Sequence, residues 1–182
     1  SIADPDIERQ RMRDALNGSR PRSAKKTGLE LIGSMNRLPG ISARMVNGRL
    51  SVILDEALMF APGSAELEAN DSLTLEGLCG ILRSTDGDIR VEGHTDDRPI
   101  HSSYPSNWEL SAARAVNILK FLVKGGVAPE RLSAAGYADC KPAVPNSDES
   151  KRALNRRVEI VLLSHKIQPL SEPAGGENIP GP

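Results

Sequence analysis

The residues best suited to bind a charged ligand are an acid and a base near the middle of the chain. Asp96 follows segment 88–93, a predicted strand, and residues in the loop after a strand are free to face a ligand. Arg114 carries a planar guanidinium group, which binds a carboxylate through two parallel hydrogen bonds. From the residue types alone, two interpretations stay open. The pair binds a ligand, or the two side chains pair with each other or cap local backbone.

A predicted helix over residues 107–124 positions the base. Asn107 and Arg114 are seven residues apart, or about two turns, so they share one face with Leu110 between them. This face begins at the helix N-terminus, where free backbone amides favour an anionic group. The secondary candidates for ligand binding are Thr95, in the loop that precedes the helix, and Asn107 and Leu110 on the helix.

Metal binding and catalysis are the other kinds of chemistry open to the same region. His94, Asp96, Asp97 and His101 carry donor atoms that suit zinc, but their spacing matches none of the usual ligand patterns. Neither Gly-x-Ser-x-Gly nor His-Glu-x-x-His occurs, and an enzyme needs such a constellation. We therefore expect no metal, no cofactor and no catalytic residue. His94 is interpreted as a hydrogen-bonded structural residue, and Asp97 is expected to pair with Arg98.

Composition narrows the partners further. The 182 residues carry 23 basic and 24 acidic side chains, and a net charge of -1 provides no concentrated positive field for nucleic acid. No window approaches the roughly 18 to 20 apolar residues of a membrane span, and the first residues of the sequence do not include the apolar h-region of a signal peptide. Because the chain begins without Met, we expect a fragment whose anchoring segment lies elsewhere. Cys79 and Cys140 are expected to be free thiols.

Periodicity predicts alternating strands and helices, and hence an α/β sandwich with one sheet and its helices packed on a face. Asn47-Gly48 between alternating runs predicts a hairpin. Ser106 and Glu109 form a capping box for the helix 107–124, and Gly125-Gly126 ends it. Its buried face is predicted to contain Trp108, Ala112, Ala115, Leu119 and Leu122.

The predicted organisation has four parts. Residues 1–27 form a linker with one weak helix over 7–16, and residues 28–48 form a linker helix and a leading strand. Residues 49–163 form the main domain. Residues 164–182 are rich in Pro and Gly and hold too little apolar surface to offset the entropy of ordering, so a flexible tail is expected.

Four sequence motifs resemble, in order, the signature of the OmpA-like peptidoglycan-binding family over about residues 50–163. They are VEGHTDDRPI at 91–100, YPSNWELSAARA at 104–115, Arg131-Leu132 with Gly136-Tyr137, and NRRVEI at 155–160. The resemblance implies the family's α/β fold with one mixed sheet, and a binding module that performs no chemistry. It also implies a ligand, the peptide stem of peptidoglycan, whose diaminopimelate carries ammonium and carboxylate groups close together.

By this resemblance Asp96 and Arg114 match the family's ligand-binding acid and base. The loop Phe60–Ser64 is the expected opposite wall of the groove, which adds Phe60 and Ser64 to the candidates. In the NRRVEI motif one arginine is expected to border the ligand and the other to anchor the preceding loop, because adjacent strand residues face opposite ways. Arg157 is the arginine expected to border the ligand, and a structural role for both arginines stays open.

Residues 97–100 and 106–109 resemble the MotB branch of the family, the wall-binding part of flagellar stators. Type VI secretion proteins share these features, and another outer-membrane or periplasmic OmpA-like protein is the remaining alternative. The MotB resemblance implies a periplasmic location and tethering to the inner membrane through a segment absent from this chain. It implies peptidoglycan, a MotA-like stator subunit and a second copy of the chain as partners. Residues 7–16 match the place of the short plug that follows the membrane helix in such proteins.

Overall fold

The computed structural model describes residues 27–68, 72–101 and 103–163. The predicted helix at 7–16 and the predicted tail at 164–182 lie outside the described residues. Within that part of the chain, no helix combines the length and the apolar character needed to cross a membrane. Cys79 is buried and Cys140 is exposed, and both are free thiols.

Five strands form one mixed sheet in the order β1-β2-β5-β3-β4, in which β3 and β4 are parallel and the other neighbours are antiparallel. The elements, in chain order, are α1 (Gly28–Met35), β1 (Ile41–Val46), β2 (Arg49–Asp55), α2 (Glu56–Met59), α3 (Ser72–Arg83), β3 (Ile89–His94), α4 (Asn107–Lys124), a 3-10 turn (Pro129–Arg131), β4 (Leu132–Gly136), α5 (Glu149–Asn155) and β5 (Arg157–Leu162). The expected α/β sandwich is confirmed.

The β1–β2 hairpin forms where the sequence predicts it. Asn47 and Gly48 both have positive φ, at 50° and 74°, as a two-residue turn of this twist requires. The strands then pair in register along their whole length. Leu31 and Met35 of α1 are buried in the same core as the sheet, so α1 and β1 belong to the packed unit.

The sheet buries one face against α1, α3 and α4. Alternation places the apolar residues of each strand on this face, for example Val52 in β2 and Ile160 in β5. The opposite face carries charged residues, among them Glu92 and Glu159, which lie directly across from each other. This one-sided burial is the expected arrangement of a sheet with its helices on one face.

The helix α4 has the predicted bounds but not the predicted buried face at its start. Its buried residues are Leu110, Ser111, Arg114, Ala115, Ile118 and Leu122. Trp108 is 51% exposed, so its predicted burial is wrong. Since Trp108 precedes Leu110 by two residues, or about 200° around the helix, it points away from the sheet. Trp108, Val116 and Val123 instead form a half-exposed apolar stripe along the outer side.

The two short helices α2 and α5 are absent from the predicted elements. They are four and seven residues long, which is too short for a helical repeat of apolar residues to be recognised in the sequence. Each is capped by an aspartate: Asp55 accepts from the amide of Ala57, and Asp148 accepts from that of Lys151. These caps start helices that carry site residues, as described below.

The sheet and α4 approach each other closely at two glycines. A Cβ atom on Gly93 of β3 would overlap the backbone carbonyl of Ser111 in α4. A Cβ atom on Gly136 of β4 would lie 2.8 Å from the Cα of Ala112. Neither neighbour is the end of a flexible side chain, so the helix backbone itself would have to move. The two glycines therefore set the distance between α4 and the strands that end at the site.

Gly93→Ala is expected to lower the free energy of unfolding by about 2 to 4 kcal/mol, because the helix must shift or the core must open. Urea denaturation followed by circular dichroism measures it. The matched control is Gly80→Ala on the exposed side of α3, where a Cβ atom meets nothing within 4 Å. That change should be neutral or stabilising by up to about 1 kcal/mol. Equal effects at both positions would contradict the close-approach account.

Candidate functional site

A cavity of about 680 Å³ opens where β3 ends. Its wall comes from four parts of the chain: α2 with the loop after it, the loop after β3, the first two turns of α4, and Arg156 at the end of α5. Both residues of the predicted acid and base pair, Asp96 and Arg114, line this cavity. Its size falls in the range of small-molecule binding sites.

Asp96 is 5% exposed and is surrounded by guanidinium groups. Its Oδ2 accepts hydrogen bonds from Arg98, at 2.7 Å from Nη2 and 3.1 Å from Nε, and from Arg156 Nη1 at 2.7 Å. Its Oδ1 accepts from the backbone amide of Arg98 at 3.0 Å. Burial raises the pKa of Asp96, but the hydrogen bonds from Arg98 and Arg156 outweigh it and hold the pKa below its usual range. Asp96 is therefore a fixed negative charge.

Arg114 is 2% exposed and lies at the inner end of the cavity. Its Nη2 lies 2.6 Å from Glu56 Oε1, and its Nε donates to the backbone carbonyl of Ser64 at 2.8 Å. The guanidinium carbon lies 5.2 Å from the centroid of the Phe60 ring. Burial lowers the pKa of Arg114 and the Glu56 carboxylate counteracts it, so the group stays protonated. These contacts use Nε and Nη2 and do not involve Nη1.

Arg156 links the acid and the base. Its three nitrogens each contact a different carboxylate: Nε lies 3.0 Å from Glu56, Nη1 lies 2.7 Å from Asp96, and Nη2 lies 3.0 Å from Glu149. The alternative interpretation, in which Asp96 and Arg114 pair with each other, is therefore wrong. They are joined through Arg156 and Glu56 in one network of alternating charges.

Local structure positions the two linking residues. Glu56 is the first residue of α2, directly after the Asp55 cap, which turns its side chain from the end of β2 toward α4. Arg156 follows Asn155, which is fully buried. The Asn155 side chain accepts from the amides of Ala143 and Val144 and donates to the carbonyl of Val144. This clamp fixes the end of α5 and so orients Arg156.

Most of the remaining sequence candidates lie at the cavity. Thr95, Asn107, Leu110 and Phe60 line it, and the Asn107 amide donates to the carbonyl of Arg98 at 2.9 Å. Ser64 contributes its backbone carbonyl to Arg114 rather than its hydroxyl. The predicted face of α4 is thus the face that meets the cavity.

Arg157 does not line the cavity, whereas its neighbour Arg156 does. The Arg157 guanidinium is buried and contacts Glu159 and the carbonyl of Lys141, both at 3.3 Å. The two arginines therefore have the opposite of the expected roles. Arg156 borders the cavity, and Arg157 anchors the loop before α5. The pairing expected for Asp97 is also wrong: Asp97 accepts from Arg152 at 2.8 Å, because Arg98 turns to Asp96.

Sequence reasoning missed Glu56, Arg98 and Arg156 as site residues. The NRRVEI motif marked Arg156 as half of a pair, whereas nothing around Glu56 set it apart from a surface glutamate. For the zinc alternative, no group of three or more His, Cys, Asp or Glu is arranged to hold a metal in the part of the chain described. His94 is 2% exposed, and its ring stacks on that of Tyr137 with 5.5 Å between the centroids. The hydrogen bonding expected of His94 is wrong, because neither ring nitrogen has a hydrogen-bond partner among the described residues.

Glu56→Gln tests whether the network stabilises the fold. The change removes the only negative charge in direct contact with Arg114 among the described residues, and breaking a buried pair is costly. We expect a loss of about 2 to 4 kcal/mol in the free energy of unfolding, measured by urea titration at neutral pH. Asp97→Asn is the control, because it breaks an exposed pair worth about 1 kcal/mol or less. A Glu56 variant as stable as the control would show that the buried pair adds no net stability.

Comparisons with known proteins agree with this architecture. Residues 59–156, more than half of the chain, match the model of the OmpA family. Motility protein B of Bacillus subtilis (strain 168) is 31% identical over 126 residues, which are 68% of this chain and 48% of that protein. The chain thus spans about half the length of this curated relative.

Two solved structures share the fold. A MotB-like protein from Desulfovibrio vulgaris is 30% identical, with a TM-score of 0.65 over 75% of this chain and 95% of that one. The cell wall anchor of the type VI secretion system from Pseudomonas aeruginosa is also 30% identical, with a TM-score of 0.68 over 76% of this chain and 97% of that one. The family match, the motility relative and these structures lead to one conclusion: the chain belongs to the OmpA family, as an OmpA-like domain of the MotB type.

Proposed function

We propose that this domain binds peptidoglycan without catalysis and anchors a larger envelope protein to the cell wall. The observation that carries the proposal is the presence of a buried acid, Asp96, and a buried base, Arg114, at one cavity of an OmpA-like domain. The similarity to a motility protein and to a cell wall anchor supports the same role.

The ligand we propose is the diaminopimelate of the peptide stem. Its ammonium group binds Asp96 and its carboxylate binds Arg114, whose Nη1 lies outside the contacts with Glu56 and Ser64. Phe60 and Leu110 add apolar wall for the methylene chain between the two charges. A pocket with apolar walls and a few fixed polar groups is the usual form of a specific small-ligand site.

The charges of the cavity support binding rather than catalysis. A general acid or base works best when its pKa lies near the working pH. The pKa of Asp96 is lowered by its arginine partners instead, so its carboxylate does not exchange protons near neutral pH. OmpA-like domains of the MotB type are non-enzymatic binders, and this domain fits that description.

The larger assembly we propose is a flagellar stator in the periplasm, with a MotA-like partner reached through a membrane helix outside this chain. That helix would tether the domain to the inner membrane. The alternative is the wall anchor of another machine, such as type VI secretion, whose solved anchor shares this fold. The part of the gene upstream of this sequence distinguishes the stator from the other wall anchors, because an encoded apolar helix with an acidic residue marks an ion-driven stator.

Asp96→Asn and Arg114→Ala test the binding chemistry. Each leaves one charge of the ligand without its partner, which typically costs about 2 to 5 kcal/mol, or roughly 30-fold to several-thousand-fold in affinity. Arg114→Lys should restore little, because an ammonium lacks the planar fork. Pull-down on purified sacculi measures binding, and circular dichroism confirms folding.

The control for this experiment is Asp97→Asn. The Asp97 carboxylate pairs with Arg152 and does not line the cavity. This variant should bind sacculi like the parent. Folded Asp96 and Arg114 variants that also bind like the parent would place the ligand elsewhere. Soluble muropeptides released during the incubation would contradict a binding-only role.

We also propose that the chain forms a homodimer, as the stator assembly requires two copies. The outer stripe of α4 is the surface we assign to this contact, because Trp108, Val116 and Val123 are 51%, 38% and 36% exposed along one side of the helix. Light scattering should give twice the chain mass, and Val116→Asp should shift the mass toward the monomer. A parent that stays monomeric at high concentration would remove dimerisation by this chain.

A further inference from the structure

The Arg98 guanidinium group is bonded to the Asp96 carboxylate, which is the group proposed to bind the ligand ammonium. Its side chain reaches back over two residues and places Nη2 at 2.7 Å and Nε at 3.1 Å from Asp96 Oδ2. With Arg156 Nη1 on the same oxygen, Oδ2 accepts three charged hydrogen bonds. A carboxylate oxygen offers about two lone-pair positions, so Oδ2 is saturated. A ligand ammonium that binds Asp96 through Oδ2 must therefore compete with a guanidinium group.

Of the two arginines, Arg98 is the one that can leave. Its side chain is 51% exposed, and its second partner, Glu149, is 61% exposed. Arg156 is 24% exposed and is held by three carboxylates, including the buried Glu56. The pair with Glu149 joins two exposed side chains and contributes about 1 kcal/mol or less. The two bonds to the buried Asp96 are replaced by bonds from the ligand ammonium when Arg98 moves aside.

The backbone around Arg98 stays in place when the side chain moves. The Arg98 amide donates to Asp96 Oδ1 at 3.0 Å, and its carbonyl accepts from the Asn107 amide at 2.9 Å. Both bonds are independent of the guanidinium group. Rotation of the side chain therefore exposes Asp96 Oδ2 without rebuilding the loop or the start of α4.

We propose that Arg98 is an affinity-setting residue that holds the ammonium position of the site in the unliganded domain and leaves it when the ligand binds. The inference rests on the proposed function, since it concerns the same Asp96 subsite. The guanidinium group acts as an internal competitor of the same charge as the ligand ammonium. It lowers the affinity of the site without changing which ligand is recognised.

The test compares the parent with Arg98→Ala in binding to purified sacculi at low ionic strength. Removing the competitor should strengthen binding by at least about two-fold, because even an ion pair between exposed side chains contributes that much and the Asp96 partner is buried. The gain should shrink as salt is raised, because salt screens exposed charges. Arg98→Gln provides a second neutral variant with a polar side chain, and circular dichroism checks that both fold.

Arg152→Ala is the matched control. Arg152 of α5 is 26% exposed and pairs with Asp97, the residue after Asp96, and the contacts described for it do not include Asp96. Its removal takes away one positive charge beside the site and leaves Asp96 Oδ2 saturated. We expect binding within about a factor of two of the parent, so a gain seen only at Arg98 belongs to the contact with Asp96.

A second arm asks whether the gain depends on the ligand ammonium. Sacculi whose free amines have been acetylated present no ammonium, so the Arg98→Ala to parent ratio should return to about one. Folded Arg98 variants that bind untreated sacculi no better than the parent overturn the inference, and so does a gain that survives acetylation. If the parent and Asp96→Asn bind untreated sacculi equally, the proposed site fails instead, and the two failures are thereby distinguished.

Discussion

A single buried ion pair, Arg114 with Glu56, organises this domain. A guanidinium group that is 2% exposed cannot remain charged inside a protein without a close counter-charge. Glu56 supplies it at 2.6 Å, and the carbonyl of Ser64 satisfies the adjacent nitrogen. The pair joins α4 to α2 and to the loop beyond it, so three separate parts of the chain meet at one point. The cavity exists because these parts cannot separate without exposing an unpaired charge.

Close packing sets the frame in which that pair forms. Gly93 and Gly136 let α4 lie directly on the ends of β3 and β4, and a larger residue at either position would push the helix away. Asp96 follows Gly93 by three residues, and Arg114 follows Ser111 by three. The same contact between strand and helix therefore fixes the separation of the acid and the base. Stability and ligand geometry depend on one piece of packing.

The site is unusual in that its charges are already compensated before a ligand arrives. Three arginines and three carboxylates alternate from Arg114 through Arg156 to Arg98 and Glu149. The zwitterion proposed as ligand would replace the Arg98 contact at Asp96 and add a contact at Arg114 Nη1. The network thereby favours a ligand with both charges close together. It also holds Asp96 and Arg114 in place in the absence of a ligand, and such preorganisation lowers the entropy lost on binding at the proposed site.

The sequence by itself determined the sheet, the hairpin, the long helix and the residues at its cavity-facing side. Those features depend on local patterns: alternation in strands, Asn47-Gly48 in the turn, and the seven-residue step from Asn107 to Arg114. Only the tertiary structure decided that Arg156 rather than Arg157 faces the cavity, that Trp108 points outward, and that Arg98 covers Asp96. The position of Arg156 depends on partners far along the chain, such as Glu56, 100 residues away. Asp97, the acid next to Arg98 in sequence, likewise pairs with Arg152, 55 residues away. No local pattern encodes which of several arginines meets a distant buried carboxylate, because that choice is made by packing.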